Sequence, residues 1–320
     1  MNNYIWKSTL AVQMQEYLEM KRMSGFKYGP EGRMMEMLDQ YCYDTNFKGD
    51  RLNAELVNNF CYGVSYEKES TRYKKETLLR GLAEYLCNIG YLSYICPVKS
   101  VPPKCTCIPY IFSEKELNVF FQAVDRYPPH PLSNRHLVDK LMFRMIYGCG
   151  LRLSEALNLK LKDVDTVDGT LTILQSKNNK DRKIPMATSL INRCIVLNKE
   201  IHLFSDENTY YFKSPLNRRL DRSAAYRRFR GYLWEAGIPH SGHGPRIHDL
   251  RHSYCINILK QWVLKGKDIT NLFPYLSVYL GHADFRGTQY YLRLTAELYP
   301  DIIRKTEAAL GYVIPEGRYP

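Results

Sequence analysis

The residues whose types and spacing could do chemistry gather in the last third of the chain. His248-Asp249-Leu250-Arg251-His252 is followed by Leu280-Gly281-His282 and, nine residues past His282, by a Tyr-Tyr pair ending in Tyr291. A second arginine lies about a hundred residues before Arg251, in Gly150-Leu151-Arg152-Leu153-Ser154-Glu155. Two guanidiniums can hold a phosphodiester, imidazoles can move protons, and a phenol can attack phosphorus. Those are the parts of a phosphoryl transfer that needs no metal. A phenol with an ordinary pKa near ~10 is mostly protonated at neutral pH, so it requires proton removal or an electropositive site. The arginines would supply that field, and a donor aimed at developing oxyanion charge is worth roughly 10²–10³ in rate.

Each residue has a plainer reading beside this one. His248 and Arg251 stand three apart just after Pro245, which suits a helix start, so both can face one anion. His252 has neighbours Tyr254, Cys255 and Ile258 that look buried, and it reads as a structural histidine. Arg152 could simply pair with Glu155, three residues on. Its flanking leucines make an unpartnered burial costly, so it needs an anion or that carboxylate. The chain has 26 tyrosines, so residue type alone does not select Tyr291, and Tyr290 is an immediate competitor.

Helices dominate the elements that must position these groups. Before residue 96, Leu10, Met14, Tyr17 and Leu18 follow helical spacing, as do Met34, Met37, Leu38 and Tyr41. Asn53 is a plausible N-cap before Leu56, Val57 and Phe60, and Leu78, Leu82, Tyr85, Leu86 and Ile89 form a stripe stopped by Gly90. Arg72, Lys74 and Lys75 lie beside Tyr73 ahead of that stripe, where phosphate contact competes with a solvated helix turn. Prolines 97, 102, 103 and 109, without periodicity, read as an extended linker over 97–111. Ser113 and Glu116 match a capping box that opens a second domain. Thr170–Leu174 and Arg182–Met186 read as strands of a hairpin.

Composition sets the frame. The 320 residues suffice for two cores, and the formal charge of +12 is uneven, +2 over residues 1–104 and +10 over 105–320. A cationic surface gains phosphate affinity through counterion release. The densest basic stretch, Lys213 to Arg230, holds Arg218, Arg219, Arg222, Arg227, Arg228 and Arg230 against one acid, Asp221. On a helix from Ser223, Tyr226, Phe229 and Leu233 would face inward, leaving Arg227, Arg228 and Arg230 for DNA phosphates or base edges. Nine cysteines at irregular spacing look like reduced core thiols, and Cys105-Thr106-Cys107 lacks a second pair for zinc. No membrane span or secretory signal is visible, so a cytoplasmic, nucleoid-associated protein is expected.

In order and spacing these motifs resemble the tyrosine recombinase (phage integrase) family, in its two-domain Xer-like form, over nearly the whole chain. The resemblance implies a mainly α fold with a small β-sheet. A helical core-binding (SAM-like) DNA-binding domain would span 1–96 and a catalytic domain with a C-terminal exchange tail 112–320, the two gripping DNA from opposite sides. It also implies roles: Arg152 and Arg251 as phosphate clamp, Glu155 as brace, His248 and His282 as proton and phosphate ligands, and Tyr291 as nucleophile. The family's hairpin lysine falls on Lys177, with Lys180 as fallback, in Ser176-Lys177-Asn178-Asn179-Lys180-Asp181-Arg182, where both glycines of the usual pattern are replaced. The implied activity is site-specific recombination through a 3′-phosphotyrosine, without metal or other cofactor. Its partners would be double-stranded DNA with paired inverted half-sites and either three more copies in a homo-tetramer or sister recombinases. Because the core-binding pattern begins by residue 10, no separate arm-binding domain is expected. A type IB topoisomerase or a catalytically silent DNA-binding regulator are the alternatives from other classes.

Overall fold

The computed structural model describes residues 4–101, 109–174, 181–242, 244–282 and 288–291. The chain divides into two compact units between Cys107 and Ile108. The hairpin lysines Lys177 and Lys180, the Cys105/Cys107 pair and the tail beyond Tyr291 lie outside the described residues.

The first unit is four helices, α1 (Ala11–Met23), α2 (Gly29–Asp44), α3 (Ala54–Tyr62) and α4 (Glu69–Asn88). The Asn53 side chain accepts from the Leu56 amide and starts α3 as expected. Leu78, Leu82 and Leu86 of α4 are buried against Met14, Tyr17, Leu38 and Val57. Ile89, by contrast, follows the end of α4 and is exposed. Met37 is also exposed, because α2 turns Met35, Leu38, Asp39 and Cys42 inward. Asp39 is fully buried and accepts from the Tyr4 hydroxyl and the Lys7 and Ser8 amides, which anchors the chain ahead of α1.

The start of the stretch expected as a linker, 97–111, is docked on the first unit. The buried Glu76 carboxylate accepts from the amides of Lys99 and Ser100, from the Ser100 hydroxyl and from the Tyr62 hydroxyl. Just past that stretch Phe112 is buried in the second unit, its amide donating to Ser253 Oγ at 2.9 Å.

The second unit contains α5 (Glu114–Arg126), α6 (Arg135–Gly148), α7 (Leu153–Asn158), β1 (Val164–Asp165), β2 (Thr170–Ile173), β3 (Arg182–Pro185), α8 (Thr188–Ile201), α9 (Arg222–Glu235), α10 (Ile247–Leu264) and α11 (Ile269–Leu280). A further helical turn covers residues 288–291. Ser113 and Glu116 make the capping box of α5. The sheet is antiparallel in the order β1-β2-β3, with Leu171 opposite Ile184 and Ile173 opposite Arg182. Helix α6 is the hub, packed on α5, α8 and α10. Phe120, Phe143, Phe229 and Tyr232 interlock edge to face where α5, α6 and α9 meet.

Two glycines in left-handed backbone conformations shape the site. Gly150, φ 59°, lies between α6 and α7, and a Cβ there would come within 2.9 Å of Leu280 and 3.0 Å of Tyr254. Gly281, φ 65°, ends α11, and a Cβ there would meet the Arg182 guanidinium at 2.7 Å. Both positions require glycine by conformation and by space.

Candidate active site

Helix α10 carries His248, Arg251, His252 and Cys255 at helical spacing, and this face looks toward Tyr291. Arg251 is 1% exposed. Its Nη1 donates to the Gly150 carbonyl at 2.6 Å, and its Nη2 to the Leu280 carbonyl at 2.8 Å. The same Nη2 stands 3.1 Å from His282 Nε2. Each of the two glycine turns thus presents a carbonyl to a clamp arginine, since the Gly281 carbonyl accepts from Arg152 Nη2 at 3.1 Å. A side chain at Gly150 would press on Leu280 and Tyr254, and one at Gly281 on the Arg182 guanidinium.

Arg152 precedes α7 and pairs with Glu155, Nη1 to Oε1 at 2.7 Å, while its amide donates to Oε2 at 2.9 Å. The pairing with Glu155 that the spacing allowed is present. The Arg152 side chain keeps more solvent contact than that of Arg251. Burial by itself would raise the Glu155 pKa, but hydrogen bonds from Arg182, its charge and the Arg152 contacts hold it at about 2. Glu155 is a fixed anion at any physiological pH.

Tyr291 is 3% exposed. Its ring stacks on His282 at 5.9 Å between centroids and lies 5.3 Å from His252. Burial pushes the phenol pKa up and the Cys255 thiol adds to this, while the charge and hydrogen bond of Arg251 pull it down. Tyr290 packs edge-on to Tyr291, centroids 5.9 Å apart, and is half-buried. His282 Nδ1 is 2.7 Å from the hydroxyl of Thr288, a fully buried residue on the turn that carries Tyr291.

His248 lies at the mouth of the cluster, with a solvent-exposed edge although protein surrounds much of it. The surrounding protein, then Arg251 and Arg152, lower its pKa to about 4, and water at the open edge screens part of that effect. It is neutral at pH 7 and can accept a proton. His252, read from the sequence as structural, packs among these side chains. Its ring contacts His248 at 4.6 Å as well as Tyr291, and its Nδ1 is buried with no hydrogen-bond partner among the described residues. Burial first, then His248, Arg251 and His282, lower its pKa to about 3.

Arg152, Glu155, His248, Arg251, His282 and Tyr291 therefore come together in one cluster. Sequence reasoning gave no role to Arg182, whose guanidinium bonds both Glu155 oxygens, or to Thr288. The signals for Arg182 were its place at the end of the hairpin motif, Ser176 to Arg182, and a strand whose next inward position, Ile184, is apolar.

The expected DNA-contact cations separate into two groups. Arg218, Arg222, Arg227 and Arg230 are exposed, as is Lys74 in the first unit. Arg219 is exposed too, with Nε donating to the Leu157 carbonyl at 3.3 Å. Arg228 does not point to solvent as expected, because its Nη1 pairs with the fully buried Asp139 at 2.9 Å, as do Arg135 and the Tyr232 hydroxyl. Lys75 is buried, its ammonium bonded to Glu67 and the Phe60 carbonyl, both at 2.9 Å. Arg72 donates to the Val64 and Ser65 carbonyls. A bare count of cations could not see these internal partners. Among the described residues, no group of three or more His, Cys, Asp and Glu side chains could hold a metal ion, and no helix is long and apolar enough to cross a membrane.

The chain is similar to known proteins in sequence and in fold. The phage integrase family profile matches residues 111–297. The y4rB product of Sinorhizobium fredii, assigned only provisionally as an integrase/recombinase, is 30% identical over 309 residues, covering 94% of this chain and 98% of its own. The tyrosine recombinase XerC of Proteus mirabilis is 33% identical over 165 residues, 51% of this chain and 49% of that one. In fold, the chain is similar to a lambda integrase dimer bound to a COC′ core site, with TM-score 0.63, 15% identity and coverage of 88% and 76%. XerH recombinase bound to difH before cleavage gives TM-score 0.61 and 19% identity over 89% and 81%. With the profile spanning the arginine turns, the α10 stripe and Tyr291, the chain belongs to the phage integrase family.

Proposed function

We propose that this chain is a site-specific DNA recombinase that cuts and rejoins strands through a 3′-phosphotyrosine. The observation that carries the reading is the packing of Tyr291 between His282 and His252, beside the Arg251 guanidinium that shares Glu155 with Arg152. In this reading the Tyr291 oxygen attacks the scissile phosphorus and the bond to the 5′-oxygen breaks. Arg152 and Arg251 hold the non-bridging oxygens, where charge accumulates, with His282 donating to one of them. Neutral His248 takes the phenol proton, and Lys177, or Lys180 in its place, gives a proton to the departing 5′-oxygen. The phosphotyrosine conserves the bond energy, so a 5′-hydroxyl can reseal the strand without ATP. No metal or other cofactor enters these steps.

The exposed arginines 218, 219, 222, 227 and 230 provide the duplex contacts of the second unit, and Lys74 those of the first. The first unit acts as the core-binding domain. The working assembly is a tetramer on two DNA sites, each with inverted half-sites, made of this chain alone or with sister recombinases, in the cytoplasm at the nucleoid.

A nicked suicide substrate tests the reading. The native protein should form a covalent adduct that survives denaturation and EDTA, Tyr291→Phe should bind DNA without forming one, and Tyr290→Phe should still form it. An adduct persisting in Tyr291→Phe would move the nucleophile elsewhere. Relaxation of a supercoiled plasmid lacking any recombination site would instead favour a type IB topoisomerase.

A further inference from the structure

Arg182 opens β3, and its side chain is buried. Nη1 donates to Glu155 Oε1 at 3.1 Å, Nη2 to Oε2 at 2.9 Å, and Nε to the Tyr279 carbonyl at 2.9 Å. The two carboxylate oxygens that receive Arg182 are the same two that receive the Arg152 side chain and amide. Arg251 Nη1 also approaches Glu155, at 3.9 Å. One carboxylate is thus shared by three guanidiniums.

The charge consequence is direct. Were Glu155 matched to Arg152 alone, the two would close into a neutral pair, and little of the Arg152 field would reach a phosphate. A second counter-ion on the same oxygens leaves that field available. The mechanical consequence runs parallel. Tyr279, Leu280 and Gly281 are consecutive, and the Leu280 and Gly281 carbonyls hold Arg251 and Arg152. Arg182 therefore ties β3 to the segment that seats both clamp arginines. The closeness is specific, because a Cβ on Gly281 would lie 2.7 Å from Arg182 Nη1. A solubility cation would not be buried against a glycine turn in this way.

We propose that Arg182 is a positioning residue for the phosphate clamp: by neutralising Glu155 and bracing the α11 terminus, it directs the Arg152 and Arg251 charges onto the scissile phosphate. The inference rests on the proposed strand-cleavage reading. Arg182 acts through Glu155 and the α11 terminus.

A purely structural role would slow cleavage of any substrate alike. A role in directing charge predicts a loss that depends on the charge of the phosphate. The test compares single-turnover adduct formation by the full-length protein on suicide duplexes carrying either the natural phosphodiester or a neutral methylphosphonate at the scissile position. Arg182→Gln should slow phosphodiester cleavage by roughly 10²-fold, the scale of a lost oxyanion donor. On the methylphosphonate the loss should shrink to within about tenfold of the native protein on that substrate, since less charge needs stabilising. Arg182→Lys keeps a cation but cannot span both Glu155 oxygens and the Tyr279 carbonyl, so it should show the same substrate dependence with a smaller loss. If Arg182→Gln does not fold, that variant alone decides. Equal losses on both substrates, or cleavage at the native rate, would overturn the proposal. Arg152→Ala separates this from the underlying reading: if its defect is not relieved by the methylphosphonate, the arginine clamp itself is wrong, whereas relief in Arg152→Ala without relief at position 182 rejects only the role of Arg182.

Discussion

Arg251 Nη2 and His282 Nε2 stand 3.1 Å apart, while the other ring nitrogen of His282 faces the Thr288 hydroxyl at 2.7 Å. A guanidinium can only donate, so in the free protein Nε2 offers its lone pair and the proton sits on Nδ1, given to Thr288. To donate to a phosphate oxygen, as its proposed role requires, His282 must carry the proton on Nε2. A hydroxyl is the partner that allows both states, because it accepts from Nδ1–H in one and donates to bare Nδ1 in the other. Phosphate binding can then switch the tautomer without net proton uptake.

Loss of the Thr288 hydroxyl should therefore carry a cost in rate. Thr288→Val preserves the side-chain shape and removes both hydrogen-bonding modes. Cleavage should slow by roughly 5–10-fold, the worth of about one net hydrogen bond, with unchanged DNA affinity. Thr288→Ser should cleave at close to the native rate. Single-turnover adduct formation measures both, and a native rate in Thr288→Val would mean the tautomer is set by something else.

Acid sensitivity follows from His252. Its folded pKa of about 3 lies below the ordinary 6.5, so between these values the unfolded chain binds a proton that the folded chain refuses. The contribution to stability is fully present above pH 6.5 and is lost as pH falls toward 3. By pH 5 this amounts to on the order of 2 kcal/mol. His202, buried and also lowered, acts in the same direction. Glu155, at about 2, adds its loss only in stronger acid. Thermal unfolding followed from pH 7 to pH 5 should show a falling midpoint, and His252→Gln should flatten that fall. An equally steep fall in the variant would place the acid-sensitive group elsewhere.

Much of this architecture was legible because local signals and tertiary packing agree. The Asn53 cap, the Ser113 capping box and the leucine stripe of α4 are short-range features, and each appears where the spacing put it. The α10 pair was readable for the same reason, since residues three apart on a helix share a face. What the sequence hid was partnership across distance. Asp139 lies 89 residues before Arg228, and nothing in either neighbourhood announces that one neutralises the other. Arg182 and Glu155 are 27 apart, joined only once β3 lies beside α7 and the end of α11. His252 shows the same limit. Its surroundings are apolar as inferred, but the apolar pocket is the one that holds Tyr291.

The division between paired and solvent-facing cations yields the last expectation, read from the salt dependence of duplex binding. A phosphate contact releases counterions, so removing one lowers the slope of log affinity against log salt by about one. Arg227 and Arg230 are exposed on α9, so Arg227→Ala and Arg230→Ala should each flatten the slope while leaving thermal stability nearly unchanged. Arg228 stands between them in sequence but is spent on Asp139, which also holds Arg135 and the Tyr232 hydroxyl. Removing one member of such a buried set costs about 3–5 kcal/mol when it leaves a charge uncompensated. With Arg135 still in place, Arg228→Ala should fall below that range, yet it should lower the melting temperature and leave the salt slope intact. Lys75→Met should behave like Arg228→Ala, because that ammonium is bonded to Glu67 and the Phe60 carbonyl inside the first unit. Lys74→Ala, on the exposed side of the same helix, should behave like Arg227→Ala. A flattened slope in Arg228→Ala would show that this guanidinium leaves Asp139 for the duplex.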